Sequence, residues 1–110
     1  MRKKRSDRNH IIYKITNQVT QEFYIGITQC LGRAYLTSIK KRFKQHVSRA
    51  FNDNLEWAIC RSIREYGETA FKIEIQEIVR GKRPAHSRET QLIQEFKPSL
   101  NTTSILTTNC

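Results

Sequence analysis

Five residues carry side chains whose types and spacing could do chemistry: Tyr13, Tyr24, Arg42, His46 and Glu89. Tyr13 and Tyr24 fall in two short segments rich in β-branched and aromatic residues, 11–16 and 23–28, with a polar turn between them. Side chains alternate along a strand, so the two phenols share a face only if Tyr13 pairs with Gly26; a slip of one residue parts them. In that register Gly26 leaves an open spot beside the phenols, where a backbone could approach closely. The alternative is an ordinary hairpin whose tyrosines pack with their hydroxyls at the margin. Arg42 and His46 are four residues apart and stack on one face of a helix. They border its apolar stripe, and either lean into a cleft or meet solvent. Glu89 precedes Leu92, Ile93 and Phe96 by three, four and seven residues, which turns a carboxylate toward the inward face of a helix. An inward carboxylate is costly unless it is paired or holds a cation. As a first-turn residue, Glu89 would instead complement the helix dipole.

These residues need a hairpin and flanking helices to position them. Thr37 or Ser38 can cap a helix running to about residue 52, with Ile39, Phe43, Val47, Ala50 and Phe51 at core spacing. Lys40, Lys41 and Lys44 fall on other sides of that helix and suit a solvated or phosphate-facing surface. Asp53 or Asn54 caps a second helix over residues 55–66, closed by Gly67, with Leu55, Ile59, Ile63 and Tyr66 inward and Trp57 off the stripe. Residues 71–76 alternate with period two and read as a third, half-buried strand. Gly81, Lys82, Arg83 and Pro84 read as a basic turn; Ser87 then caps a last helix over residues 88–97, ended by Pro98. The pattern predicts an α+β fold, a small three-stranded antiparallel sheet flanked by about three helices. The expected domain spans residues 11–101, after a basic flexible arm (1–10) and before a polar tail (102–110).

Length and charge bound what such a domain does. The 110 residues suit one domain with a modest core. Twenty Lys and Arg stand against ten Asp and Glu, and the net charge of +10 points to a polyanionic partner, nucleic acid before an anionic membrane. Five of the cations lie in the first eight residues, an arm suited to phosphates through counterion release; the bland reading is a solubility tail. No apolar run is long enough to span a bilayer, and no apolar stretch follows the basic N-terminus as a secretory signal would require. Cys30, Cys60 and Cys110 are odd in number, far apart and without CxxC spacing, which disfavours zinc and fits a reducing cytosol. Gly32 marks a loop in which Arg33 and Tyr35 either meet nucleic acid by charge and stacking or serve as a plain connection.

In chain order, Ile11-Ile12-Tyr13, Tyr24-Ile25-Gly26, the Arg42 to His46 spacing, Glu89 with Leu92-Ile93, and Asn101 after Pro98-Ser99-Leu100 resemble the motifs of the GIY-YIG nuclease family. Each is weak alone; the ordered set covers residues 11–101 and is specific. Ile11 stands where the family's first motif has Gly, the segment from Gly26 to Arg42 is longer than in compact members, and Asn54 stands where many members have a His.

The resemblance implies a metal-dependent DNA endonuclease that hydrolyses phosphodiester bonds, one strand per active centre, as in a free-standing homing-type enzyme of a phage or mobile element. It implies Tyr13 as general base, Tyr24 orienting water or phosphate, Arg42 clamping the scissile phosphate and His46 assisting. Glu89 would hold Mg²⁺ or Mn²⁺ as a single-metal site. A phenol with an ordinary pKa of about 10 needs nearby positive charge to act as a base, from Arg42 or Lys14. Asn101 would orient Glu89 or the helix end. The expected DNA contacts are Lys14, Gly26, Arg33, Lys40, Lys41, Lys44 and Asn101. A monomer or homodimer in the cytoplasm of a bacterial or phage-infected cell fits. The alternatives are a non-catalytic basic nucleic-acid-binding module and a nuclease subunit of a repair or restriction assembly.

Overall fold

The computed structural model describes residues 8–30, 34–53 and 57–101. Three strands form one antiparallel sheet: β1 (Asn9–Asn17), β2 (Phe23–Cys30) and β3 (Phe71–Arg80), in the order β2-β1-β3. Helices α1 (Tyr35–Ser48), α2 (Ala58–Tyr66) and α3 (Lys82–Phe96) complete an α+β fold. Among the described residues no helix is long and apolar enough to cross a membrane. Residues 1–7, Arg33, the cap expected at Asn54 and the tail 102–110 lie outside the described residues; the second helix starts at Ala58 rather than at residue 55, because Trp57 is extended.

The hairpin closes because Asn17 is buried and fully used. Its Oδ1 accepts from the backbone N–H of Val19 at 2.9 Å and of Thr20 at 3.2 Å, while its Nδ2 donates to Ser62 Oγ on α2 at 3.0 Å. Such side-chain bonds give the turn its shape without cost to the ladder. The register that follows pairs Tyr13 with Gly26 and Ile15 with Tyr24. β1 begins at Asn9, and His10 is already buried within it.

The two faces of the sheet bury different layers. Ile11, Tyr13, Ile15 and Tyr24 pack with Ile39 and Phe43 of α1 and Ile59 and Ile63 of α2. Ile12 and Ile25 pack with Leu92 of α3. β3 serves both faces because of a bulge. Ile12 pairs with Glu77 and Tyr13 with Ile75, so Gln76 is the extra residue. Ile73 and Ile75 therefore join the α1–α2 layer, and Val79 joins the α3 layer. A bulge re-aims the side chains beside it, and this one sits next to Tyr13.

Several element boundaries differ from the sequence reading. α1 starts at Tyr35, and Ser38 bonds back to the Ala34 carbonyl rather than capping. It passes at Arg49 into a π-helical turn, Arg49–Asp53, which leaves Phe51 outside the core. Tyr66 and Phe96 are likewise partly exposed rather than inward. β3 runs to Arg80, four residues beyond its expected end. The largest difference is α3: residues 82–84 are not a turn but its first helical residues. Gly81, at φ +94°, makes the sharp entry from β3 that a side chain would strain. Pro84 is tolerated there because an N–H in the first turn has no helical partner to lose.

Candidate active site

Tyr13 is the centre of the site. It is buried on the central strand, and its phenol lies across the neighbouring edge strand β2 over Gly26. A Cβ at Gly26 would stand 2.5 Å from the Tyr13 hydroxyl and 2.7 Å from the Tyr24 ring. The spot over Gly26 is thus not open to DNA, as the sequence reading expected; the protein's own phenols occupy it. Glycine is required because two aromatic rings converge where a side chain would stand.

His46 comes to the same point from α1. Its Nε2 lies 3.1 Å from the Tyr13 hydroxyl, and the Tyr24 ring meets the imidazole edge-on with centroids 5.1 Å apart. The three rings form one cluster, with Tyr13 and Tyr24 centroids 6.2 Å apart. The helical wheel placed His46 at the border of the core; only 1% of it is exposed. Burial, then the charges of Arg42 and Arg49, lower its pKa to about 4, so the imidazole is neutral at neutral pH. Its Nδ1 is buried without a hydrogen-bond partner.

Arg42, one turn earlier on α1, supplies the positive charge. Set against the burial that raises the Tyr13 pKa, the Arg42 charge lowers it, and Tyr24 helps. Burial outweighs them, with the Glu89 charge adding to it, and the net shift of Tyr13 is upward. Arg42 Nη1 donates to Gln45 Oε1 at 2.6 Å, while its Nε is buried with no acceptor. A buried guanidinium N–H without an acceptor is a costly arrangement that an incoming oxyanion would relieve. Arg42 also lines, with Lys41, Thr37, Ser38, Thr28 and Gln29, an open groove of about 430 Å³ between α1 and β2. Gln45 carries no sequence signal of its own, since an exposed amide on a helix is ordinary until a guanidinium is seen to rest on it.

Glu89 comes from the opposite layer. Because α3 begins at Lys82, Glu89 stands in mid-helix, and the helix dipole offers no reason for its position. Burial raises its pKa, and its side chain is 19% exposed. His86, one turn earlier, stands with its Nδ1 3.8 Å from Oε1. A half-buried carboxylate compensated so weakly is a fit place for a cation. Among the described residues no three His, Cys, Asp or Glu side chains converge, so such an ion would draw its other ligands mainly from water and substrate.

The other expected residues fall elsewhere. Lys14 lies over the Phe23 ring at 4.6 Å and is opposite Glu74, on the strand face away from Tyr13. It therefore leaves Arg42 as the cation that acts on the phenol. Lys44 is paired with Glu68 at 2.7 Å, whereas Lys40 and Lys41 are exposed. Arg33 is outside the described residues. Asn101 binds the backbone of β2. Its Oδ1 accepts from the Ile25 N–H at 2.8 Å and its Nδ2 donates to the Ile25 carbonyl at 2.7 Å. It thus stands in for a further strand on the free edge of β2, between Tyr24 and Gly26.

Comparison with known proteins agrees with this arrangement. No curated protein sequence matches the chain. Two solved structures of the catalytic domain of the homing endonuclease I-TevI share the fold, each at 22% identity. One, a mutant of that intron endonuclease, covers 88% of this chain and 93% of its own at a TM-score of 0.65. The other covers 89% and 99% at 0.63. Residues 9–103 match the family model described as the GIY-YIG catalytic domain. With Tyr13 and Tyr24 on paired strands, Arg42 and His46 on the next helix and Glu89 on the last, the chain belongs to the GIY-YIG family and is a nuclease catalytic domain.

Proposed function

We propose that this chain is a metal-dependent DNA endonuclease that hydrolyses one phosphodiester bond per active centre, nicking a single strand. The observation that carries the reading is the buried Tyr13–His46 hydrogen bond, flanked by an Arg42 Nε that lacks an acceptor. The net charge of +10, the exposed Lys41 in the groove and the exposed Lys40 next to it in the chain suit a DNA backbone.

Arg42 is placed to grip the scissile phosphate, its planar fork matching two oxygens. Bound phosphate offsets the Arg42 charge that holds the His46 pKa down. The imidazole then becomes a better base at the moment one is needed. Tyr13 takes a proton from the attacking water as its own proton passes to His46 Nε2, so no phenolate forms; the imidazolium that results is balanced by the bound phosphate, and the leaving oxygen takes its proton from solvent. Tyr24 holds the ring geometry by packing edge-on against His46. Glu89 would hold the divalent cation, Mg²⁺ or Mn²⁺, which when bound relieves charge on the phosphoryl oxygens and acidifies coordinated water.

The test is conversion of supercoiled plasmid to open circle with Mg²⁺, for the parent, Tyr13→Phe and Glu89→Gln. The expected result is nicking by the parent alone, with all three proteins still shifting DNA in a gel. Cleavage by either variant at the parent rate overturns the assignment. A parent that binds plasmid and never nicks it makes the chain a binding module instead.

A further inference from the structure

Beside Glu89, on the same helix, stands a residue that the five motif positions leave unused. His86 lies three residues earlier, and its Nδ1 is 3.8 Å from Glu89 Oε1. That is too long for a hydrogen bond. It falls between the spacings of neighbouring and of opposite atoms bound to one ion, so a small shift of the Glu89 carboxylate brings the pair to the neighbouring one. Metal bonds of roughly 2.0–2.2 Å to nitrogen and carboxylate oxygen place neighbouring ligands about 3 Å apart and opposite ones about 4 Å apart. Half of the His86 side chain is exposed, so solvent ions reach it.

The ring is also held from behind. His10, buried in β1, meets His86 edge-on with centroids 6.2 Å apart. His10 Nδ1 lies 2.9 Å from the Arg8 carbonyl. A carbonyl only accepts, so Nδ1 carries the proton and the His10 ring is fixed in tautomer and angle. His86 therefore rests on a rigid partner rather than turning freely.

We infer that His86 is a second protein ligand to the cation held by Glu89, so that α3 presents a nitrogen–oxygen chelate spaced three residues apart. This rests on the reading of Glu89 as the metal holder. Its consequence is a preference among ions. Carboxylate oxygen and water suit Mg²⁺, whereas imidazole nitrogen favours Mn²⁺ and later transition ions. The chelate sets the site toward Mn²⁺ without excluding Mg²⁺.

The experiment measures ion binding to the full chain without DNA, by calorimetry with Mn²⁺ and with Mg²⁺, and by pulsed electron paramagnetic resonance of the Mn²⁺-loaded protein. The parent should show hyperfine coupling from one directly bound nitrogen. His86→Ala should lose that coupling and weaken Mn²⁺ by at least about tenfold, the loss typical even of an outer partner of a ligand. Its Mg²⁺ affinity should stay within about twofold, because water replaces nitrogen around Mg²⁺ at little cost. Glu89→Gln should lose both ions. A parent that binds Mn²⁺ without nitrogen coupling overturns the chelate and leaves Glu89 as the holder. So does a His86→Ala that weakens both ions equally, as a purely structural role would. A Glu89→Gln that binds like the parent, or a parent that binds neither ion, overturns the reading of Glu89 and the chelate with it.

Discussion

The Tyr13 hydroxyl and His46 Nε2, thirty-three residues apart in the chain, stand 3.1 Å from one another inside the core. Neither is charged at neutral pH: burial raises the pKa of the phenol and lowers that of the imidazole to about 4. The pair is thus a neutral donor and acceptor whose protonation depends on what binds at Arg42. Removing the phenolic oxygen while keeping the ring isolates this relationship. Tyr13→Phe should lower cleavage by about a hundred- to ten-thousand-fold, the usual contribution of a positioned general base. Thermal unfolding should register only the lost hydrogen bond and an imidazole nitrogen left unpaired, about 1–3 kcal/mol.

The lowered pKa of His46 makes folding pH-dependent in a defined direction. Below pH 6.5 the unfolded chain protonates this histidine while the folded chain resists until about pH 4. The contribution is fully present above pH 6.5 and is lost as pH falls through that window, about 3 kcal/mol in all. Denaturant titrations at pH 7, 5.5 and 4.5 should show the parent losing stability on acidification faster than His46→Gln. Parallel curves would mean the imidazole is not protected from protonation.

Glu89 behaves in the opposite sense. Burial raises its pKa, so its charged form is disfavoured in the folded protein and stability falls as pH rises past the ordinary carboxylate range. Glu89→Gln should therefore melt at a higher temperature than the parent at pH 7 in chelator. Added Mn²⁺ should raise the Tm of the parent and leave that of the variant unchanged, since only a folded state that binds the ion is stabilised by it. A variant less stable than the parent in chelator would show that the carboxylate is already well paired.

Gly26 tests the packing of the phenols. Gly26→Ala places a Cβ 2.5 Å from the hydroxyl of Tyr13, whose side chain is fully buried. Overpacking of this kind costs about 1–3 kcal/mol. Cleavage should fall further than that loss of stability accounts for at a temperature where the variant remains folded, because the displaced atom is the reacting one. Equal activity per folded molecule would show that the hydroxyl position tolerates the shift.

Asn101 closes the edge of β2 from the far end of the chain. Asn101→Ala removes partners from both the N–H and the carbonyl of Ile25. Destabilisation of about 1–3 kcal/mol is expected, with faster hydrogen exchange at the Ile25 amide than at its neighbours on the strand. Unaltered exchange at that amide would assign the strand edge another support.

The sequence by itself determined the order of the elements, the polar residues and the condition under which the two phenols share a face, Tyr13 opposite Gly26; the structure shows that this register forms. Strand alternation and helical spacing are local properties, and a polar turn between two β-branched segments admits few registers. Local pattern also placed Glu89 on the inward side of its helix. Tertiary structure decided the rest. Whether residues 82–84 turn or start a helix depended on Gly81 reversing the chain, since a proline near a glycine reads equally as a break or a first turn. That entry point removed the helix dipole as an explanation for Glu89. The bulge at Gln76 sent one strand to both layers, which no strict alternation predicts. Burial of His46, the occupant of the space over Gly26 and the bond from Asn101 to Ile25 are contacts between segments far apart in the chain. Spacing fixes which side of an element a residue faces; what it meets there is set only when the layers close.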